Sequence, residues 1–248
     1  MIKRILLLLA AIAALSVHAE SRRYAILSLV GDRILVVERE MSTGSRLDRN
    51  LRRFVDVPDH ALDRSMLLAV DDAIRRKDPG AQTILLTPKD PALYAAAARE
   101  LDGSGNTQRI YEAAKPTLTG TNATHLVLVT KQRHQARLQL RDGMVGSGYL
   151  EGLGFYVDYG TLARSTDTNE AERGFIAPFT YVNIALIDVA TGKVVSEERV
   201  YGSLPYSSPN INIGNAWDAL TPQEKAERLA QVMRAEADRV VPHLIAKS

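Results

Sequence analysis

Two hydrophobic periods alternate along this chain, and their order leaves few folds open. From Asp59 onward Leu62, Met66, Val70 and Ile74 recur every four residues, with Ala69 and Ala73 beside them; this spacing lays one apolar stripe along a helix. Short β-branched runs flank it, YAILSLV and RILVVERE before and QTILLTP after. Asp59 reads as the cap of that first helix. Asp90 and Pro91 supply a cap and first helical residue for ALYAAAAREL, whose alanines let a helix lie close to a sheet, and TQRIYEAAK adds a third helical piece that stops at Pro116. The last helix opens on TPQE, with Thr221 as cap and Glu224 as its capping-box partner, and buries a stripe of Ala226, Leu229, Met233, Ala237, Val240 and Leu244. Helices interleaved with strands in this order predict an α/β (α+β) fold: a mixed β-sheet with helices mainly on one face, two β-hairpins and a C-terminal helix.

The first hairpin is expected over residues 24 to 38, because Gly31-Asp32 between two apolar runs suits a tight turn. The second joins FTYVNIALIDV to KVVSEERVYGS through Ala190-Thr191-Gly192. Between them, THLVLVTKQRHQARLQLRDG begins as a buried strand at Leu126 to Val129 and turns polar beyond Lys131. Lys131, Arg133, Arg137 and Arg141 then read as one charged face of an exposed edge strand, a common protection against edge pairing.

The N-terminus MIKRILLLLAAIAALSVHAE has basic Lys3 and Arg4, an apolar run from Ile5 to Leu15, and small residues Val17 and Ala19 where a signal peptidase reads. It predicts a signal peptide over residues 1 to 19, cleaved after Ala19, and a periplasmic or secreted single domain over residues 20 to 248. The apolar run is too short for a transmembrane helix, and no later stretch qualifies. The 248 residues include no cysteine, so neither a disulfide nor a lipidated cysteine is available and the fold must rest on its core. Once Lys3 and Arg4 leave with the leader, basic and acidic residues balance. That balance gives no support for a nucleic-acid partner.

Motifs for chemistry are sparse. No G-x-S-x-G, P-loop or H-E-x-x-H occurs, and His60, His125, His134 and His243 lack metal-ligand spacing. No metal or cofactor is expected. Asp59 and His60 in DVPDH are the weak candidates for an acid/base pair. The basic stretch with Arg46, Arg49, Arg52 and Arg53 reads as a solvated loop or edge strand.

The unusual segment lies within residues 143 to 174. In GSGYLEGLGFYVDYG the glycines Gly146, Gly148, Gly152 and Gly154 fall on even positions, whereas Tyr149, Leu153, Phe155, Val157 and Tyr159 fall on odd ones. In a strand these alternate between faces, and a face without side chains admits a close backbone or aromatic ring. An irregular glycine-rich loop is the alternative. The run continuing into YVNIALIDVATGKVVSEERV resembles the curli-secretion lipoprotein family, and the α/β layer is similar to the N-terminal domain of the Tol-Pal translocation β-propeller protein. YAILSLVGD with the C-terminal hairpin also resembles an uncharacterised exported family of Gram-negative bacteria. The curli resemblance implies ring assembly and a glycine-rich hairpin inserted in the outer membrane, but without a cysteine the family's lipid anchor is missing here.

The leading expectation is a non-enzymatic periplasmic protein that binds another envelope protein or outer-membrane component. Tyr149, Phe155, Tyr156 and Tyr159, with Gly146, Gly148, Gly152 and Gly154, would form its contact strip. The alternatives are an outer-membrane secretion or assembly component that forms a homo-oligomer and inserts a glycine-rich hairpin, and a hydrolase without a familiar motif that uses Asp59 and His60.

Overall fold

A computed structural model describes residues 22–40, 50–88, 90–101, 107–164, 168–207 and 217–247. The expected signal peptide, Arg46, Arg49 and part of the charged loop after Arg164 lie outside the described residues. The elements in chain order are β1 (Arg23–Leu29), β2 (Arg33–Glu38), β3 (Leu51–Asp56), α1 (Ala61–Lys77), β4 (Gln82–Leu86), α2 (Pro91–Ala98) and α3 (Thr107–Ala114), which runs into a 3-10 turn. They continue with β5 (His125–Lys131), β6 (Arg133–Gln135), β7 (Leu138–Leu140), β8 (Gly143–Val145), β9 (Tyr149–Arg164), β10 (Ala171–Asp188), β11 (Val194–Ser203) and α4 (Pro222–Ile245). The fold is α+β, with a mixed nine-stranded sheet ordered β3-β2-β9-β10-β5-β1-β4; β11 pairs with β10, and β6 with β9.

The expected hairpin over residues 24 to 38 does not form. β1 pairs in parallel with β4 and β5, whereas β2 pairs in parallel with β9 and antiparallel with β3. β5 and β9 both run antiparallel to β10, at Val182–Asp188 and Ala171–Tyr181 respectively. β1 and β2 therefore point the same way, one beside β5 and the other beside β9. Gly31, at φ 75°, kinks the chain instead of reversing it. The dipeptide demanded a positive φ, and a kink satisfies that demand as well as a turn does.

The second expected hairpin is present. β10 and β11 pair antiparallel from Phe179↔Ser203 to Ile187↔Val194. The Asp188 carboxylate accepts from Thr191 N and its hydroxyl, both at 2.7 Å, and Gly192 takes φ 69° at the turn's end. The helix α4 starts in the expected capping box: Glu224 N donates to the Thr221 hydroxyl at 3.2 Å, and Thr221 N donates back to Glu224 at 2.7 Å. Its stripe is buried from Leu229 onward, with Ala226 left exposed.

Three buried clusters fill the two faces of the sheet. The long helices α1 and α4 cover one face, where Tyr24, Ile26, Val36, Val127, Val129, Leu153, Phe155 and Ile184 meet Met66, Val70, Met233 and Val240. On the opposite face the short helices α2 and α3 cover Ala25, Leu27, Leu126, Leu128 and Ala185 through Leu93, Ala97, Ile110 and Tyr111. The rest of that face, around Leu35, Val37, Tyr156, Phe175 and Phe179, is closed by Leu138 and Leu150. Tyr181 holds that cover: its hydroxyl accepts from Arg137 N at 2.8 Å, and burial pushes its pKa up to about 12.

Candidate ligand cavity

A cavity of about 730 Å³ lies outside the carboxyl ends of the parallel strands β1 and β4 and of their neighbour β5. Leu29 and Gly31 come from the end of β1, Thr87 and Pro88 from the end of β4, Lys131 from the last position of β5, and Tyr94, Ala95 and Ala98 from α2. The position follows from topology. β1 runs on through Gly31 into β2 of the same sheet, whereas β4 leaves through α2 on the second face, so the two connections part and open a crevice beyond the adjacent strand ends. Apolar walls with a few convergent polar groups are the usual composition of a small-molecule site.

Its floor is tied by one buried carboxylate. Asp63, in the first turn of α1, accepts from the Ser28 hydroxyl at 2.7 Å, from Val30 N at 2.9 Å and from Gly31 N at 3.3 Å. Its other oxygen accepts from the Tyr94 hydroxyl at 2.8 Å. A single side chain thus joins the kink after β1, helix α1 and helix α2. Burial pushes the Asp63 carboxyl above its ordinary range, and its hydrogen bonds pull it back toward ionisation. Burial and the adjacent Asp63 also push Tyr94 well above the usual phenol range, so Tyr94 serves as a donor.

Lys131 is the cation of the wall, and two glycines make room for it. A side chain on Gly152 would place its Cβ 2.9 Å from Lys131 Cδ, and one on Gly31 would lie 3.6 Å from Nζ. Gly152 (φ 62°) and Gly31 (φ 75°) both hold conformations that glycine adopts without strain. Lys131 therefore does not share a charged edge with Arg133, Arg137 and Arg141. The chain breaks at the buried Gln132, and Lys131 turns inward while Arg133 stacks over Tyr149 at 5.1 Å. Burial, followed by the like charge of Arg33, holds the Lys131 ammonium below the ordinary lysine pKa. Among the described residues it makes no hydrogen bond and no ion pair.

His60 also lines this cavity, its ring stacked on Tyr94 at 6.2 Å between centroids. Asp59 and His60 both take left-handed backbone conformations, φ 61° and 50°. His60, not Asp59, is the N-cap of α1, and no side chain caps that end. The Asp59 carboxylate makes no hydrogen bond to the imidazole, so the expected acid/base pair is not assembled. No group of three histidine, aspartate or glutamate residues among the described residues is placed to hold a metal.

The glycine strip is a strand and has a packing reason. Gly154 faces the Leu35 carbonyl of β2 so closely that an added Cβ would lie 1.8 Å from its oxygen and 2.8 Å from the Phe179 ring. Gly146 and Gly148 precede the strand, at φ 119° and 73°. The aromatics do not make a contact surface. Phe155 is buried in the helix-covered face, edge-on to Trp217 at 5.4 Å, and Tyr156 is buried on the other face against Phe175 at 6.1 Å. Both sides of this strand are occupied, by β2 and β10. Tyr159 is half-buried against the core, and of the four aromatics only Tyr149 is exposed. Of the strip, Gly152 alone reaches the cavity wall, through Lys131. The cavity itself was not foreseen; the lone Lys131 at the apolar end of a strand was its only local trace.

No protein-family model matches the sequence, and a search of curated proteins finds no match. Among solved structures, the chain is similar to a Xanthomonas campestris protein of the DUF330 family model, with 10% identity, a TM-score of 0.37, and 90% of this chain and 84% of that one covered. A hypothetical protein from Chlamydia trachomatis gives 12% identity and a TM-score of 0.35 over 92% of this chain and 95% of its own. A PelC dodecamer from Paraburkholderia phytofirmans gives 12% identity and a TM-score of 0.30 over 90% and 88%. These matches show no link to curli-secretion or Tol-Pal proteins, and their low TM-scores leave function to be argued from the site. No helix among the described residues is long and apolar enough to cross a membrane.

Proposed function

We propose that this chain is an exported, non-catalytic binding protein whose envelope component is a small, largely apolar molecule held in the cavity between α2 and the ends of β1, β4 and β5. The observation that carries the reading is a cavity of about 730 Å³ beyond the ends of adjacent parallel strands, where the chain leaves β1 for β2 within the sheet and leaves β4 for α2 on one face. Export rests on the leader-like N-terminus, and the absence of an assembled acid/base pair at Asp59 and His60 favours binding over catalysis.

The test is titration of the purified protein with N-phenylnaphthylamine, a neutral dye that brightens in apolar sites. Saturable binding at one site per chain is expected. Ala98→Trp, on the cavity wall one helical turn beyond Tyr94, should abolish it with the melting curve retained. Absence of saturable binding, or full binding by the folded Ala98→Trp protein, overturns the reading.

A further inference from the structure

The chemistry of the wall restricts the ligand further than its size does. Lys131 ends β5 with its aliphatic stem lying on Gly152 and its ammonium beside Gly31, inside the cavity. No described residue pairs with it. Of the carboxylates whose charge reaches Lys131, Glu151 is paired with Arg52 at 3.5 Å, and Asp63 already receives four donors, from Ser28, Val30, Gly31 and Tyr94. Asp32 stands exposed on the rim beside Arg33. A half-buried ammonium without a partner is costly, and the depression of its pKa by burial and by Arg33 expresses that cost. An anion arriving with the ligand removes it.

The same surroundings decide which anion. A lysine can meet a phosphate as a point charge, but a phosphate's several oxygens call for further donors, from free backbone N–H groups or guanidinium forks. Here the amides of Val30 and Gly31 are committed to Asp63, and the N-terminus of α2 is closed by Asp90, which accepts from Ala92 N at 2.8 Å. Arg33 lies over the Phe54 ring at 5.1 Å, at the exposed rim. What remains is one point charge at the end of a wall formed by Leu29, Pro88, Pro91, Ala95 and Ala98. We infer that the ligand is an amphipathic monocarboxylate, with its carboxylate against Lys131 and its apolar body along α2. This rests on the cavity being the binding site.

The experiment displaces bound N-phenylnaphthylamine from the parent protein with dodecanoate and, separately, with dodecanol, both below their aggregation concentrations. A charge-assisted hydrogen bond in a partly dry site predicts that dodecanoate displaces the dye at about tenfold lower concentration than the alcohol. Lys131→Met keeps the stem over Gly152 and removes the charge, so it should bring the two competitors together. Equal potency on the parent overturns the carboxylate assignment and leaves the cavity standing. A parent that never binds the dye overturns the cavity reading itself. Dodecanoate preference that persists in a folded Lys131→Met protein overturns the role of Lys131. Because the comparison of the two competitors needs no variant, it remains decisive even where Lys131→Met does not fold.

Discussion

Replacing Gly154 by alanine probes the register at the centre of the sheet. Gly154 pairs with Leu35 of β2 on one side and with Phe179 of β10 on the other. The added methyl would lie 1.8 Å from the Leu35 carbonyl oxygen and 2.8 Å from Phe179 Cζ. Roughly 1.5 Å must open before that oxygen and the methyl reach ordinary contact, and the oxygen belongs to backbone, which cannot rotate aside. Phe179 is itself fully buried. Overpacking of a tight interior costs about 1–3 kcal/mol, and separation of β2 from β9 adds lost ladder hydrogen bonds at about 1 kcal/mol each. The total expected is about 3 kcal/mol or more, a large fraction of the roughly 5–15 kcal/mol that holds a domain together. Gly80→Ala is the control, since its added methyl meets only the Asp78 carboxylate at 3.6 Å. Urea unfolding followed by circular dichroism should show a much lower midpoint for Gly154→Ala, or no cooperative transition, and little change for Gly80→Ala. A Gly154→Ala midpoint matching the parent would refute the close approach of β2 to β9.

Other predictions concern the charges and the leader. Asp158 is fully buried; burial raises its pKa, but hydrogen bonds led by Arg39 at 2.7 Å, then Thr161 and Gly160, outweigh that and hold it below the ordinary value. A depressed carboxyl stabilises the fold above its unfolded pKa and loses that contribution as pH falls toward and through its folded pKa; melting temperature measured from pH 5 down to pH 2 should fall less steeply in Asp158→Asn than in the parent. Thr221→Ala removes the capping box of α4 and should cost about 1 kcal/mol by urea unfolding. Asp63→Ala strands the amides of Val30 and Gly31, two buried donors at about 1–3 kcal/mol each; a melting temperature equal to the parent's would contradict its role in the cavity floor. N-terminal sequencing of protein recovered from a periplasmic extract should begin at Glu20, and a chain that begins at Met1 would contradict export.

Local signals in this chain were legible where local forces decide. The four-residue period of α1, the Thr221–Glu224 capping box and the Asp188–Gly192 turn each depend on residues a few positions apart, and each stands in the structure. Partner choice between strands is different, because it is set by residues far apart in sequence. Gly31-Asp32 carries a turn signature, yet β1 and β2 find parallel partners near residues 125 and 155, so the chain passes straight through. The alternation around Gly154 correctly sends Leu153, Phe155 and Val157 to one face, while Gly154 shares the other with the large Leu150 and Tyr156. It cannot reveal that strands lie on both edges and cover on both faces, which is what buries Phe155 and Tyr156. Lys131 looked like the first charge of a wet edge; its inward path depends on Gly31 and Gly152, one about a hundred residues before it. The cavity is assembled from the ends of three strands and one helix, and no single segment carries its outline.

The measurement that bears most directly on the account is the map of amide and methyl chemical-shift changes as N-phenylnaphthylamine is titrated into the protein. The account predicts saturable changes gathered at Leu29, Gly31, Thr87, Ala95, Ala98 and Lys131, the residues around the cavity. Changes gathered instead in the apolar groove of Val55, Trp217 and Leu229, or scattered without saturation, would contradict it.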